Sequence, residues 1–446
     1  MPAVLISLVA LGLTVLLAQT PPAPGPERFS MRVVAAGLAG PWQMRTGPDG
    51  RLWLTERVGK RIVRINPGDG SRSTAVAIAD VLQTHAQDGL LGMALHPGLL
   101  TTTQADFVYV AMTYDADPGA GQSRRMLVRR YTYDPAAERL VAPVDLLQGL
   151  PAGDDHVSGR LVFGRDQRLY LTIGDQGFNQ FSLYCQAIRA QELPTAGDIA
   201  AGNRDRYQGK VLRIGLDGSI PPDNPVLGGV RSHVYSYGHR NAQGMAVGPD
   251  GAIYVSEHGP SVDDELNLVQ AGKNYGWPHV AGYRDDRAYV YANWSAASTP
   301  CQALKFDAIV APRDVPQQKE TAWSHPDFTP PLRSFFTVDD GYRFDVQGNA
   351  TIAPSGIDVY SAPDRGIPGW SNSVLITSLL RGVIYRVPLG SAGGVAAGET
   401  VEYFRMKARF RDVLASADGR TIYVAADAGS AEHPGSVLAF TYQAGN

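Results

Sequence analysis

A repeated pattern of one tight turn followed by two β-rich runs constrains the fold of this 446-residue chain more than any other feature. Clear copies begin at Gly47-Pro-Asp-Gly, Gly164-Arg-Asp-Gln, Gly248-Pro-Asp-Gly and Ser416-Ala-Asp-Gly, and they continue into runs such as RLWLTE and RTIYVAADAG. Weaker copies contain DFVYVAMTYD and NSVLITSLLRGVIYRVPL. Asp-Gly favours tight turns between antiparallel strands, and alternating β-branched and aromatic residues favour the strands themselves.

Repetition of one strand unit every ~40–70 residues is typical of a β-propeller. We therefore predict an all-β, six-bladed β-propeller made of four-stranded antiparallel blades. Long insertions at 176–208 and 261–335 make the period irregular. A pair of β-sandwiches is the rival fold, but it offers no reason for the self-similarity. The net charge of −3 argues against a nucleic-acid partner.

The amino-terminal segment is typical of an exported protein. The apolar run Val4–Ala18 is short for a transmembrane span, and a Pro-rich stretch follows it. We interpret residues 1–27 as a signal peptide and leader, and 28–446 as one propeller domain without a membrane span in the mature form. This predicts a periplasmic or secreted protein. No Lys or Arg precedes the apolar run, so an uncleaved anchor remains the alternative.

Two cysteines, Cys185 and Cys301, lie far apart in polar segments. An exported protein could pair them, but a sequence does not show the required geometry. Our default expectation is that both are free.

The stretch from residue 153 to 180 contains the clearest candidate for acid–base chemistry. Two strands are predicted there, at Arg160–Gly164 and Arg168–Gly174. His156 precedes the first strand and Asp175 follows the second, so an antiparallel pairing places both at one rim of the sheet. A neutral histidine paired with a carboxylate is a good general base. The alternative is a polar loop with a solvent-facing histidine.

Comparable turns in the other copies carry polar residues as well. Equivalent turns of successive blades share one face of a propeller, so we expect them to form one polar pocket at the central channel. The alternative is that these turns are simply solvated. The residues concerned are Glu56, Arg57, Asp175, Gln176, Glu257, His258, Arg381 and Asp427.

Three further motifs suggest ligand binding. Gly238–Gly244 presents Arg240 and Asn241 together, which suits an anionic or carbonyl-rich ligand. The segment 256–267 combines a Gly-Pro turn with acidic residues, and oxygen ligands of this kind suit Ca²⁺; a capping acidic turn is the alternative. Arg409 and Arg411 alternate about Phe410, so on a strand they would point to one face.

These motifs occur together with others in a fixed order: HVSGRLVFG, LTIGDQGFNQ, YQGKVLRIGLDGSIPPDNP, GHRNAQG, GPSVDDELNLV, KNYGWPHVAGYRDD, RGVIYRV and RFRDVLAS. From about Val33 to Tyr442 the chain closely resembles the soluble quinoprotein glucose dehydrogenases, within the wider glucose/sorbosone and aldose sugar dehydrogenase family. The resemblance implies a six-bladed propeller that uses pyrroloquinoline quinone (PQQ) and Ca²⁺. It also implies oxidation of the C1 hydroxyl of aldoses to lactones, an external electron acceptor, and a homodimer as one possible assembly.

The resemblance also assigns roles to residues. His156 matches the general base, which takes the C1 hydroxyl proton while hydride passes to the quinone; Asp175 orients it, and Arg240 stabilises charge on the quinone oxygen. The sugar-pocket positions are Gln87 and Asp155. The matches to cofactor contacts are Arg240, Asn241, Thr351, Arg409 and Arg411. The matches to the backbone carbonyls that hold the PQQ-bound Ca²⁺ are Gly259 and Pro260. The matches around a structural calcium pair near the family's dimer interface are Glu265, Tyr275, Ala281, Tyr283, Asp285 and Glu320.

Several positions depart from the glucose dehydrogenases. Leu380 replaces a lysine that faces PQQ, His258 replaces a glutamine, and Asn349 replaces a tryptophan of the sugar pocket. The segment 340–350 is shorter and lacks a disulfide. These changes favour a broad aldose dehydrogenase over a strict glucose enzyme.

Three other functions stay open at this point. A calcium-dependent propeller could be a hydrolase or lactonase in which His156 activates water. It could be a carbohydrate-binding propeller without turnover. It could also keep the fold and the calcium sites after losing PQQ binding through the change at Leu380.

Overall fold

The computed structural model describes residues 22–102, 105–119, 121–362, 366–390 and 398–444. Six four-stranded antiparallel sheets are arranged in a ring, which confirms the predicted six-bladed β-propeller. The apolar run Val4–Ala18 lies outside the described residues. Within the described ranges, no helix has the length and apolar character needed to cross a lipid bilayer.

The strands follow the repeat closely. The amino-terminal strand is β1 (Arg28–Ala35). Blade 1 contains β2 (Pro41–Thr46), β3 (Leu52–Glu56), β4 (Arg61–Ile65) and β5 (Arg72–Ala77). Blade 2 contains β6 (Leu90–Leu95), β7 (Phe107–Asp115), β8 (Arg124–Asp134) and β9 (Arg139–Pro151). The first three strands of blade 3 are β10 (Ser158–Phe163), β11 (Leu169–Ile173) and β12 (Lys210–Ile214). A two-stranded ribbon of β13 (Val226–Leu227) and β14 (Val230–Arg231) comes next, and β15 (Val234–Tyr237) is the fourth strand of the blade.

The second half of the ring continues the pattern. The first three strands of blade 4 are β16 (Ala242–Val247), β17 (Ile253–Glu257) and β18 (Asp264–Val269). A second two-stranded ribbon of β19 (Tyr291–Ala292) and β20 (Gln317–Gln318) comes next, and β21 (Arg333–Phe335) is the fourth strand of the blade. Blade 5 contains β22 (Pro354–Tyr360), β23 (Ser373–Ser378), β24 (Ile384–Pro388) and β25 (Val401–Tyr403). Blade 6 contains β26 (Phe410–Ala415), β27 (Thr421–Ala426) and β28 (Ser436–Gln443), with β1 as its fourth strand.

The ring closes because blade 6 combines the two ends of the described chain. Strand β1 pairs antiparallel with β28, with Met31 opposite Phe440. Just before β1, the carboxylate of Glu27 accepts hydrogen bonds from Trp370 Nε1 (3.0 Å) and the Tyr403 hydroxyl (2.7 Å). The end of the segment that we interpreted as a leader is therefore tied to blade 5.

Packing between blades forms the core and shapes the channel. Each sheet buries both faces, so central strands such as β3 and β11 are buried along their whole length. The first strands of successive blades contact one another around the axis. In every blade the register between the first and second strands shifts near the start of the first strand. Such bulges re-aim the side chains near the start of each first strand.

Short helices lie in the loops and insertions. Helix α1 (Ala196–Ala201) begins with a capping box, because Thr195 Oγ1 accepts from the Asp198 N–H while the Asp198 carboxylate accepts from the Thr195 N–H. Helix α2 spans Phe344–Gln347. The 3₁₀ helices are Phe181–Leu183, Asp205–Tyr207, Trp294–Ala296, Cys301–Ala303 and Glu320–Ala322.

The expectation of two free cysteines is wrong. Cys185 and Cys301 form a disulfide across 116 residues of sequence, with Cα atoms 5.6 Å apart. The bridge joins the two insertions, which pack through an apolar cluster that includes Trp294, Val315 and Phe306. The strand pattern did not indicate this contact, because neither insertion follows the propeller repeat.

Candidate active site

His156 and Asp175 meet at the channel rim, at the ends of β10 and β11. The two strands pair antiparallel, and His156 Nδ1 lies 2.6 Å from Asp175 Oδ1. Both side chains are buried. The close approach requires a glycine at position 174, since a Cβ there would lie 1.8 Å from the His156 carbonyl oxygen.

Asp175 is held as a carboxylate. Burial by itself raises its pKa, but the neighbouring His156 and the Arg240 guanidinium outweigh that effect, and the pKa of Asp175 lies below its usual value. The backbone N–H of Gly177 donates to Oδ1 (2.9 Å), and the indole N–H of Trp277 donates to Oδ2 (2.8 Å). The charged form is therefore fully hydrogen-bonded.

The other nitrogen of the imidazole faces a second pair of residues. Gln180 Nε2 lies 3.2 Å from His156 Nε2, and Gln180 Oε1 accepts from Arg240 Nη2 at 2.8 Å. Arg240 Nη1 also reaches the His258 carbonyl oxygen at 3.3 Å. The predicted base and the predicted quinone-contacting arginine therefore lie in one network.

The sequence reasoning did not assign Gln180 or Trp277 to the site. Their only sequence signal was their position inside the motifs LTIGDQGFNQ and KNYGWPHVAGYRDD. Trp277 is 102 residues away from Asp175 in the chain, so the strand pattern around Asp175 does not reveal the contact.

The predicted sugar-pocket residues lie beside the base. The Gln87 amide donates to Asp155, and Asp155 Oδ2 lies 3.9 Å from His156 Nε2. Gln87 Oε1 faces Asn241 Nδ2 (3.5 Å) and Gln243 Nε2 (3.3 Å). Residues from blades 1 to 4 thus converge on one polar surface at the channel mouth.

Arg411 completes this surface from blade 6. It pairs with Asp427 (2.9 Å), and its Nη1 lies 3.3 Å from Gln243 Oε1. Its guanidinium also lies 4.4 Å from the ring centroid of Trp42. Arg240 is therefore linked to the imidazole of His156 by hydrogen bonds through Gln180. Arg411 is linked through Gln243 and Gln87 to Asp155, which lies 3.9 Å from that imidazole.

Arg409 differs from Arg411 more than simple alternation implied. The register between β26 and β27 shifts between Phe410 and Asp412, so Arg411 sits at a bulge. Arg411 is buried, whereas Arg409 is exposed and its Nη1 lies 3.5 Å from the Leu379 carbonyl oxygen. Arg409 lies just before the strand, which begins at Phe410, so the expectation that both arginines point to one strand face stays a prediction.

The blade turns contribute unequally to the pocket. Arg57, His258 and Asp427 lie near the buried arginines of the channel mouth. Glu257 instead binds His239 Nδ1 (2.9 Å) and the Arg240 backbone N–H. Glu56 is fully buried and pairs with Arg61. Glu56 is thus held within its own blade, whereas Glu257 lines a small pocket together with Arg240 and His258. The expectation that all the turn residues form one polar pocket stays a prediction.

The Gly259-Pro260 turn lies beside Arg240. Pro260 borders the same cleft as Arg240, and the Gly259 carbonyl accepts one backbone N–H, from Ser261 at 3.1 Å. Neighbouring backbone carbonyls are the hard oxygen donors that Ca²⁺ prefers, so the donor chemistry fits this cation.

Asp264, which follows that turn, is already engaged by the protein. Its carboxylate accepts from the N–H groups of Gly259 (2.9 Å) and Ile352 (2.7 Å) and from the hydroxyl of Thr351. Through these hydrogen bonds, Asp264 ties the Gly259-Pro260 turn to the loop before β22, the loop that contains Thr351.

The residues predicted to surround a structural calcium pair lie near Arg240, because Glu265 and Ala281 line a small pocket together with it. Glu320 accepts from the N–H groups of Ala281 (2.9 Å) and Asp285 (3.2 Å), and Glu265 accepts from the Gly282 N–H (2.7 Å). Burial raises the pKa of Glu320 to about 8. Within the described residues, no set of three or more His, Cys, Asp or Glu side chains is arranged around a metal position. Tyr275 and Tyr283 flank this group; Tyr275 stacks on His239, and Tyr283 is partly exposed.

A cleft of about 550 Å³ opens beside Arg240. Both insertions contribute to its walls, with residues that include Trp277 and Tyr289, and the segment 340–349 contributes Asn349. Asn349, at which the resemblance led us to expect the loss of a tryptophan, therefore borders the open space of the cleft. Leu380 is 53% exposed and follows Leu379, whose carbonyl contacts Arg409.

The glucose/sorbosone dehydrogenase family model matches residues 38–312 and 339–437. The chain belongs to this family. That result confirms the predicted family and the predicted class of enzyme, an oxidoreductase of the quinoprotein sugar dehydrogenase type.

Individual relatives agree with the family assignment. Quinoprotein glucose dehydrogenase B of Acinetobacter calcoaceticus is 41% identical over 442 residues, which cover 94% of this chain and 92% of that protein. The PQQ-bound aldose sugar dehydrogenase of Streptomyces coelicolor is 26% identical, with a TM-score of 0.65, over 94% of this chain and 100% of that chain. The apo form of the soluble aldose sugar dehydrogenase of Escherichia coli is 25% identical, with a TM-score of 0.65, over 93% and 100%.

Proposed function

We propose that the protein catalyses the PQQ- and Ca²⁺-dependent oxidation of the C1 hydroxyl of aldose sugars to lactones. The observation that carries the proposal is the buried His156–Asp175 pair, whose outer nitrogen faces a rim of polar groups that includes Arg240. The names of the relatives, a quinoprotein glucose dehydrogenase and a PQQ-bound aldose sugar dehydrogenase, support the choice of cofactor and substrate.

His156 acts as the general base. Asp175 is ionised and lies against Nδ1, so that nitrogen carries the proton and Nε2 keeps its lone pair. The C1 hydroxyl of a sugar takes the place of the Gln180 amide at Nε2 and donates its proton there. Gln87 and Asp155 lie within reach to bind neighbouring sugar hydroxyls.

When bound, PQQ would supply the acceptor for the hydride from C1 of the sugar, and Ca²⁺ would supply Lewis-acid stabilisation of negative charge on the quinone. The residues that would hold the two groups are Arg240, Asn241, Thr351, Arg409 and Arg411 for the quinone, and the carbonyls of Gly259 and Pro260 for the cation. Arg240 is positioned by Gln180 and by Trp277, so its charge is in place before the reaction.

Asn349 and the Cys185–Cys301 disulfide bear on the substrate range and on the compartment in which the enzyme works. Asn349 places an amide, and not an aromatic ring, at one position of the cleft wall, which favours a broad range of aldoses over glucose alone. The Cys185–Cys301 disulfide suits an oxidising compartment, which supports a periplasmic or secreted enzyme. Turnover would need an external electron acceptor to reoxidise the cofactor. The residues around Glu320 would bind the structural calcium pair near a homodimer interface.

Reconstitution tests the proposal. Purified apoprotein receives equimolar PQQ with excess Ca²⁺, and dye reduction is followed with a panel of aldoses while quinone absorbance reports cofactor binding. We expect dye reduction that requires PQQ, Ca²⁺ and sugar together. Failure to reduce the dye with any aldose, while PQQ is bound, overturns the proposal. A hydrolase would be indifferent to PQQ, and a binding module would retain sugar without reducing dye.

A further inference from the structure

We propose that Trp277 is a positioning residue that fixes the proton of the His156–Asp175 pair on Nδ1. The proposal rests on the function proposed above, in which His156 is the base. It adds a residue from the second insertion to a pair that otherwise belongs entirely to blade 3.

The carboxylate of Asp175 has a different donor on each oxygen. Oδ1 faces His156 Nδ1 (2.6 Å) and the Gly177 N–H, whereas Oδ2 accepts from Trp277 Nε1 (2.8 Å). A carboxylate held at only one oxygen can rotate about its Cβ–Cγ bond. The indole N–H removes that freedom and so keeps Oδ1 directed at the imidazole.

The same tryptophan also closes a ring of contacts. The Arg240 guanidinium lies 5.1 Å from the ring centroid of Trp277, which is within the range of a cation–π contact. Arg240 donates to Gln180, and Gln180 contacts His156 Nε2. The five side chains therefore form the closed sequence Trp277, Asp175, His156, Gln180, Arg240 and back to Trp277.

The two donor-only members of this ring determine where the protons lie. A guanidinium and an indole N–H donate and never accept. Arg240 therefore requires the oxygen of Gln180, which directs the Gln180 NH₂ group at His156 Nε2. His156 Nε2 must then accept the hydrogen bond from this NH₂ group. The proton of the imidazole therefore lies on Nδ1, where it faces Asp175 Oδ1, while Trp277 donates to Asp175 Oδ2. Only this arrangement gives each hydrogen bond of the ring one donor and one acceptor.

Trp277 is itself firmly held. Its backbone N–H donates to the Gly238 carbonyl (2.9 Å), and its ring packs on Tyr289 with centroids 5.9 Å apart. The Tyr289 hydroxyl donates to the Pro278 carbonyl at 2.6 Å. The indole is buried and borders the cleft. The second insertion thus supplies a rigid donor to the base.

Trp277→Phe tests the proposal in two ways. It removes the N–H and keeps an aromatic ring. In the reconstituted enzyme we expect kcat to fall at least ten-fold, with KM and PQQ affinity within about three-fold of wild type. In the apoprotein, the downfield proton resonance of His156 Nδ1–H, assigned with His156→Gln, should move upfield or disappear. The other charged or titratable groups near the imidazole, Asp155, Arg240 and His258, are unchanged in this variant.

Two controls separate positioning from general structural damage. Trp53→Phe removes another buried indole N–H that donates to an aspartate, Asp49 at 3.2 Å, in blade 1, and it should leave both readouts unchanged. In an Asp175→Asn background, Trp277→Phe should cause little further loss of kcat, because the tryptophan acts through that carboxylate.

Several results would overturn the proposal. The first is that Trp277→Phe leaves both kcat and the His156 Nδ1–H resonance unchanged. The second is that the losses of kcat are fully additive in the double variant that combines Asp175→Asn with Trp277→Phe. If Trp277→Phe does not fold, the indole N–H resonance of Trp277 in Asp175→Asn replaces it as the test, and an unchanged resonance rejects the contact. If wild-type protein oxidises no aldose, the proposed function fails, while the apoprotein spectra still decide whether Trp277 controls the proton.

Discussion

His156 Nδ1 and Asp175 Oδ1 are 2.6 Å apart, although the two residues belong to loops that flank different strands. The pairing of β10 with β11 brings the loops to one rim, and a glycine at position 174 lets their backbones approach. The base is therefore positioned by the sheet itself, and its geometry does not depend on a bound ligand.

His156→Ala should lower kcat by about 10²–10⁴-fold, because general-base catalysis typically contributes that much. PQQ affinity should change by less than about three-fold, because the proposed cofactor contacts belong to other residues. Steady-state dye reduction and equilibrium titration with PQQ measure the two quantities. His96→Ala, in the loop between β6 and β7, is the matched control and should leave both unchanged. Equal loss of turnover and cofactor binding would contradict the assignment of the base.

Leu380→Lys should tighten PQQ binding. Leu380 is exposed and adjoins the residue that contacts Arg409, so a lysine there adds a cation to the proposed carboxylate clamp. Exposed ion pairs contribute about 0.2–1 kcal/mol, which corresponds to roughly 1.4–5-fold in affinity. The gain should shrink at high ionic strength. Val141→Lys, on the exposed edge of blade 2, should have no effect, and an equal gain there would show a non-specific charge effect.

Removing the Cys185–Cys301 disulfide should destabilise the protein. The bridge closes a segment of 116 residues, and native disulfides typically stabilise by about 2–4 kcal/mol. The double variant Cys185→Ala, Cys301→Ala should therefore unfold at lower denaturant concentration than wild type under non-reducing conditions. Reductant should shift wild type toward the variant and leave the variant unchanged. Identical unfolding curves for both proteins would show that the bridge does not form.

His233 should make stability depend on pH. Burial lowers the pKa of His233 to about 4, and its ring contacts the Tyr207 hydroxyl and the Gly218 carbonyl (both 3.1 Å). The unfolded chain binds a proton near pH 6.5, whereas the folded protein does not. The free energy of unfolding should thus be unaffected above pH 6.5 and fall by about 2–3 kcal/mol as the pH approaches 4.

Denaturant unfolding at several pH values checks this prediction. His233→Gln, which cannot titrate, should show a smaller decline than wild type between pH 6.5 and 4. His85→Gln removes an exposed histidine and should keep the wild-type slope. The same slope in His233→Gln and wild type would mean that another group causes the decline.

The sequence determined the features that depend on neighbours along the chain. Asp-Gly turns and alternating strands specify each blade locally, so the repeat predicted six sheets and their order. The meeting of His156 and Asp175 followed from one hairpin, because the ends of adjacent antiparallel strands share a rim. Repetition around a ring then placed Arg240 and Arg411 at the same end of the channel.

Only the tertiary structure decided the contacts between distant segments. Trp277 reaches Asp175 across 102 residues, Arg240 reaches Gln180 across 60, and the two cysteines pair across 116. The tryptophan and both cysteines lie in insertions that follow no repeat, so no periodicity indicates where these segments fold. The bulge at Arg411 likewise depends on its pairing with β27. Local pattern specifies a strand, whereas packing between blades and insertions specifies which side chains meet.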